Sequence, residues 1–288
     1  MQKLMLMAFI VFASLGFVSC QSVADDDTQS SSATVHVNVA PFELQVTDFD
    51  AAPQKTVGAT ESGIASLTFA IFDENGENVY NATQNSTDEG FGNFSAELKF
   101  GTYTFVAVGC KVGTGATIES KNKVSFTAEC LSDTYSASQS VEISATSSKN
   151  ISIEMSRRIS CLSLKHTNTL PSAVKKIRFT VANGGKSFDP ATGLTTETNG
   201  TCVRNVTSYT AGASETCYIF LAAADGKTDV TVEGLDADGN VLYTQVLKDV
   251  PMKQNKRTFA SGALFADTAT GSFAFNTDWE EGTLTYTW

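Results

Sequence analysis

Beyond residue 19, no apolar stripe of helical period runs through this 288-residue chain. Apolar residues recur instead at every second position, in short runs separated by turn residues. Phe94, Ala96, Leu98 and Phe100 alternate with polar neighbours, as do Val35, Val37 and Val39, and Ile151, Ile153 and Met155. A period of two puts one set of side chains on one face of an extended chain, so each run reads as a half-buried strand. Phe at 19 outnumbers Tyr at 7 and Trp at 2, and Pro is scarce at 5. Those are residue choices that suit a pleated, half-buried surface. The fold class that follows is all-β.

Turn chemistry divides the strands. Asn75-Gly76 closes a hairpin after Ser66–Phe72, Gly101-Thr102 turns Phe94–Phe100 back into Tyr103–Val108, and Asp225-Gly226 separates Cys217–Ala222 from Thr228–Glu233. Asn81–Gly92, Asp48–Gly63 and Gly184–Gly200 read as loops. Arg157-Arg158 interrupts the alternation after Met155, which places a domain boundary within Met155–Ile159. Short strands at this spacing fit two β-sandwiches. The expected organisation is a signal segment over 1–19, a polar tether over 20–33, and sandwiches over 34–156 and 157–288.

The first residues carry the localisation signal. Lys3 precedes a nearly unbroken apolar run, Leu4 to Val18, that ends in the small Ser19 before Cys20. This is the layout of a secretory signal peptide, and the run is short for a membrane-spanning helix, which needs about 20 apolar residues. Phe17-Val18-Ser19-Cys20 resembles the lipobox of bacterial lipoproteins, with Phe17 in the place usually held by Leu. The resemblance implies that Cys20 is acylated and becomes the first residue of the mature chain. Gln21-Ser22-Val23-Ala24-Asp25-Asp26-Asp27 resembles the acidic signal that sends some Gram-negative lipoproteins to the cell surface. The net charge is −11; removing the signal, with one Lys and no acid, brings it to −12. Such acidity argues against nucleic-acid binding, which needs a basic face.

Catalytic sets are hard to assemble from these residues. The two histidines, His36 and His166, fall in different expected domains, and His36 alternates outward from Val35 and Val37. No Cys-x-x-Cys or Cys/His cluster points to zinc, and no cofactor is expected. Asp236-Ala237-Asp238-Gly239-Asn240 places oxygen ligands at alternating positions, but Leu247 stands where a calcium loop needs its closing Glu, so a hairpin turn is expected there. An enzyme is not expected. Five cysteines remain besides Cys20: Cys161 and Cys217 sit in apolar runs and read as core residues, while Cys110–Cys130 and Cys202–Cys217 stay open as bridges in an oxidising compartment.

Several pieces resemble the fimbrillin superfamily, the surface-fimbria subunits and fimbrial anchor proteins of Gram-negative anaerobes. They are Ser66–Gly76 followed by Phe100–Val108, the junction Ile151–Arg157 running into Ile159–Leu164 and Leu170-Pro171, and Met252–Thr258 leading through Ser261–Phe265 to Phe273–Trp279. With the lipobox they span nearly the whole chain in the family's order. The resemblance implies two tandem transthyretin-like β-sandwich domains, lipoprotein export to the outer membrane, and a part in building or anchoring adhesive fimbriae with other fimbrial subunits. In that family, shaft subunits lose their lipidated N-terminus to an Arg-directed cut after the first strand, and a strand from the next subunit fills the groove. Here the first Arg is Arg157, and Lys55 is the one basic residue between Lys3 and Lys99. The usual cut has no Arg to act on, which favours a subunit that keeps its lipid; a Lys-directed cut at Lys55 stays open. At the other end, Leu284, Tyr286 and Trp288 alternate, either as the last strand of the second sandwich or as a strand donated to a partner. Donation of all three would contribute about 5–9 kcal/mol of gross burial. A different class of function, a surface glycan-binding lipoprotein with Trp279 or Trp288 stacking on sugar rings, also fits.

Overall fold

The computed structural model describes residues 31–41, 63–266, 274–276 and 285–286. Every element among them is a strand, as the alternation requires. In the first half, β1 is Ser32–Pro41, β2 Ser66–Phe72, β3 Asn78–Asn85, β4 Asn93–Lys99 and β5 Gly101–Cys110. Then come β6 Ala116–Ser120, β7 Lys123–Phe126, β8 Thr134–Ile143 and β9 Asn150–Arg157. In the second half, β10 is Ser160–His166, β11 Lys176–Val181, β12 Gly184–Gly185, β13 Gly200–Asn205 and β14 Ser214–Leu221. The remaining strands are β15 Asp225–Leu235, β16 Val241–Lys253, β17 Arg257–Gly262, β18 Ala274–Asn276 and β19 Thr285–Tyr286.

The first sandwich is one seven-stranded sheet, β3-β2-β5-β8-β9-β1-β4, folded on itself where β8 passes to β9 through Tyr135–Arg157 and Ser136–Ser156. Its two halves enclose Val35, Val37 and Val39 from β1, Phe69 from β2, Phe94 from β4 and Phe105 from β5. The Phe69 ring lies 4.9 Å from Phe94 and 5.7 Å, edge-on, from Phe105. β1 is central in its layer: Ser32–Asn38 pairs antiparallel with β4, and His36–Pro41 runs parallel to β9.

The second sandwich repeats this plan. β10 lies between antiparallel β14 and parallel β17, as β1 lies between β4 and β9. Opposite it, β13-β11-β15-β16 reproduces the order β3-β2-β5-β8. The register also repeats: Gly109 of β5 faces Leu67 and Tyr135, and Gly234 of β15 faces Ile177 and Tyr243. Leu164, Phe179, Cys217, Ile219, Val232 and Leu247 fill this core.

A third apolar cluster joins the two. β2 and β5 are buried on both faces, and their outer residues Ala70, Phe72, Val106 and Val108 pack with Ile118 and Val124 of the β6–β7 hairpin and with Phe188 and Phe220. Phe188 and Phe220 stack at 4.0 Å with planes 10° apart, and Phe126 lies about 6 Å from each, at 6.0 and 5.9 Å. The residues Ser31–Trp288 accordingly form one compact unit.

Several sequence expectations change. Asp225-Gly226 is not a turn but the start of β15; the chain bends at 222–224. Phe100 leaves the alternating face and is 37% exposed, because β4 ends at Lys99 and Gly101 opens β5. β3 runs to Asn85, five residues into the expected polar loop, and β6 and β13 were not anticipated, since their alternation is of polar with weakly apolar residues. The disulfide is Cys130–Cys202, with Cα atoms 4.6 Å apart, rather than Cys110–Cys130 or Cys202–Cys217; Cys110, Cys161 and Cys217 are buried thiols. Cys217 is wholly enclosed, and burial pushes its thiol up to about 12.

Candidate functional site

The boundary between the sandwiches is polar on one side and covalently closed. The disulfide ties the segment entering β8 to β13 of the second sandwich. Three residues on, Asp133 is 5% exposed, and burying a charge is costly unless it is paired. Arg157 supplies the pairing as a fork: its Nε lies 2.8 Å from Oδ1 and an Nη 3.2 Å from Oδ2. Lys111 Nζ stands 3.4 Å from the same carboxylate. The Arg157 guanidinium also lies 5.0 Å from the centre of the Tyr135 ring and donates to its hydroxyl. Burial first, and Asp133 second, push that phenol up to about 12, so it stays protonated at neutral pH. Arg157 reaches the other sandwich too, donating to Asn255 Oδ1 at 3.4 Å. The residue that breaks the alternation in sequence is thus a tie across the junction.

An open concavity of about 350 Å³ lies here, walled by Lys111, Arg157, Arg204 and Arg257, with Asp133 as the one carboxylate among the described residues that line it. Ser132, Thr216 and Tyr218 add hydroxyls, and Val112 is the one aliphatic side chain among the described residues of the wall. Arg257 donates to the Tyr218 hydroxyl at 3.4 Å. Arg204 donates to the Leu131 carbonyl at 3.4 Å, and its Nε is buried with no partner among the described residues. This convergence of Lys and Arg side chains was not legible in an acidic chain, because they come from positions 111 to 257.

Other expected features fall as follows. His36 is exposed on β1, while His166 is buried with Nδ1 2.8 Å from the Asn168 carbonyl. The Asp236–Asn240 segment is a hairpin turn: Asp236 Oδ1 accepts from the Asn240 backbone N–H at 2.9 Å and Oδ2 from its side-chain amide at 2.9 Å. Among the described residues no cluster of His, Cys, Asp and Glu is placed to hold a metal ion. Cys20, Lys55, Trp279, Leu284 and Trp288 lie outside the described residues. Tyr286 falls in β19, opposite Phe275 of β18.

Paired sheets with one strand order used twice define an all-β protein of the sandwich class. The sequence profile of the fimbrillin-A associated anchor proteins Mfa1 and Mfa2 matches residues 27–259, and the chain belongs to that family. Among solved structures, the chain is similar to the fimbrial anchor protein Mfa2 from Porphyromonas gingivalis, at 12% identity and a TM-score of 0.49, over 85% of this chain and 96% of that one. It is also similar to a fimbrial assembly protein from Parabacteroides distasonis, at 11% identity and a TM-score of 0.44, over 89% and 100%. The tip fimbrial protein Mfa3 from P. gingivalis matches at 12% identity and a TM-score of 0.40, over 86% and 100%. No curated protein matches the sequence.

Proposed function

We propose that the chain is a non-enzymatic outer-surface lipoprotein, an anchor or accessory subunit of adhesive fimbriae, held to the membrane by acylated Cys20. Membership of the anchor family supports this. So does the position of Arg157, the first Arg in the chain: it is 16% exposed and paired with Asp133, hence a poor site for a protease. The residues 34–156 and 157–288 are read as its two domains, and other fimbrial subunits as its partners by strand addition.

The observation that carries the reading is the place of β1. It is the central strand between β4 and β9, and Val35, Val37 and Val39 are at most 2% exposed. A cut at Lys55 would release this strand and open its groove; a chain that keeps Cys20 keeps the groove filled. Retention therefore suits a subunit that terminates or anchors an assembly, with an outer sheet edge left for a partner's strand. Mass spectrometry of the membrane-extracted protein tests this. An acylated peptide beginning at Cys20 is expected; an unacylated N-terminus beyond residue 50 would show the processed, shaft-like form instead.

A further inference from the structure

We propose that the end of the first sandwich at which the chain enters β1 rests on the phosphate-bearing surface of a lipid bilayer, with the Phe100 ring entering the headgroup layer. The proposal rests on the acylation of Cys20 read above. Ten residues lie between Cys20 and Ser31, so even a fully extended path leaves Ser31 within about 40 Å of the lipid. Ser31 is fastened to this end of the sandwich. Its carbonyl accepts from the Phe100 backbone N–H at 2.7 Å, and Ser32 pairs with Lys99 one residue on. Phe100 thus stands where the tether enters the fold. The other end of β4, at Asn93, lies about 20 Å further along the same strand.

The residues around Phe100 fit such a surface. Phe94, Ala96 and Leu98 point inward, yet Phe100 turns outward past the end of β4 and exposes its ring. Lys99 beside it is exposed, and the Lys149 ammonium lies 5.7 Å from the ring centre. That ammonium also donates to the Ser144 carbonyl at 2.6 Å, which draws the 144–148 loop to the same place; Ala145, Thr146 and Ser148 are exposed there and uncharged. An exposed ring flanked by cations matches a headgroup boundary, with the ring at the acyl margin and the ammonium groups near phosphate. The carboxylates of this end stand apart. Asp73, Glu74 and Glu77 belong to the β2–β3 turn and Glu142 to β8, in the layer opposite β4, β1 and β9, while Glu97 of β4 accepts from the Ser32 hydroxyl at 3.2 Å. The sandwich therefore leans on its β4–β9 side. One exposed ring is a weak contact, but the tether makes it intramolecular, and the effective concentration this brings keeps a weak contact populated.

The test uses the acylated chain in vesicles of phosphatidylethanolamine and phosphatidylglycerol. Mass determination comes first, so that a missing anchor and a failed contact give different results; a chain without the acyl group would remove the tether and the proposal with it. Cys110, Cys161 and Cys217 are buried, so a fluorophore can be attached to a new surface thiol, at Thr102→Cys beside Phe100 or at Glu89→Cys in the turn before the other end of β4. Nitroxide-labelled lipid is expected to quench the first probe severalfold more than the second. Phe100→Ser, at an exposed position outside the core, is expected to bring the two to equality. Lys99→Gln is expected to lower the difference in part, as is added salt. Equal quenching of the two probes in the acylated chain, or quenching indifferent to both substitutions, would overturn the proposal. So would shielding of the Thr102 probe that grows with protein concentration in the absence of vesicles, because a second copy would then cover this end.

Discussion

The two sandwiches share one strand order yet close their layers differently. In the first, β9 turns from β1 to β8, and the sheet folds through that corner. In the second, the equivalent β17 continues outward into β18 and β19. Their central sheets differ as well. β2 is buried over consecutive residues because the β6–β7 hairpin and the Phe188–Phe220 stack cover its outer face. β11 alternates between buried and partly exposed positions, the pattern of a sheet with one face toward water. One plan thus yields an inner module, clasped from both sides, and an outer one whose layers extend to an edge.

The aromatic stack is the place to break this comparison most strongly. Phe220→Ala should cost about 3–5 kcal/mol and split one urea transition into two as the modules uncouple. Phe179→Ala, in the second core alone, should cost as much without separating the transitions. Matching single transitions from both variants would mean that the stack does not couple them. Next in size is the bridge. Replacing Cys130 and Cys202 together by Ser should cost about 2–4 kcal/mol, by lengthening the loops open to the unfolded chain. Dithiothreitol should shift the unmodified protein equally, and an unmoved midpoint in either arm contradicts the pairing.

The paired glycines sharpen the comparison at single-atom scale. A Cβ on Gly234 would meet the Phe265 ring at 2.9 Å, whereas on Gly109 it would meet the ends of Ile64 and Met155 at 2.8 and 2.9 Å. Flexible chain ends can swing aside and a ring packed on Tyr243 cannot, so Gly234→Ala should cost about 1–3 kcal/mol and Gly109→Ala less, by thermal melts. The smallest effect belongs to Glu197. Burial raises its carboxyl, but the Ser187 hydroxyl and the backbone N–H groups of Ser187 and Lys186 outweigh this and hold it below the usual range. A depressed folded value stabilises above the unfolded pKa, and the gain is lost as pH falls through the folded one. Glu197→Gln should therefore cost under about 1 kcal/mol at pH 7, the residue being exposed, and nothing once the pH has fallen below the depressed folded value; a gap that persists in strong acid would refute the charge-based account.

Much of the strand layout was readable because burial on one face writes itself as alternation. Ser66–Phe72 and the runs through Val37, Ala96 and Ile153 all appear as strands in the structure. The pattern faded where burial departs from one-sidedness. β8 begins with Thr134, Tyr135 and Ser136 all buried, so its start has no polar alternate to mark it. β13 carries Cys202 and Arg204 at alternating positions, one in the core and one at the junction wall, and no hydrophobic period connects them. The candidate site escaped notice for a related reason. Lys111, Arg157, Arg204 and Arg257 lie on segments far apart in the chain, and charges carry no periodic signature.

What the sequence determined by itself was the class: alternation and turn residues leave a chain with no helical stripe little choice but sheets. What only the tertiary structure decided was pairing at a distance. Cys130 is 20 residues from Cys110 in sequence, but its partner is Cys202, 72 residues away. Asp133 meets Arg157, and Phe126 meets Phe188 and Phe220, for the same reason. Local patterns say which face of a strand is buried; which strand lies opposite depends on how two sandwiches close on each other, and that is set by the sum of their contacts.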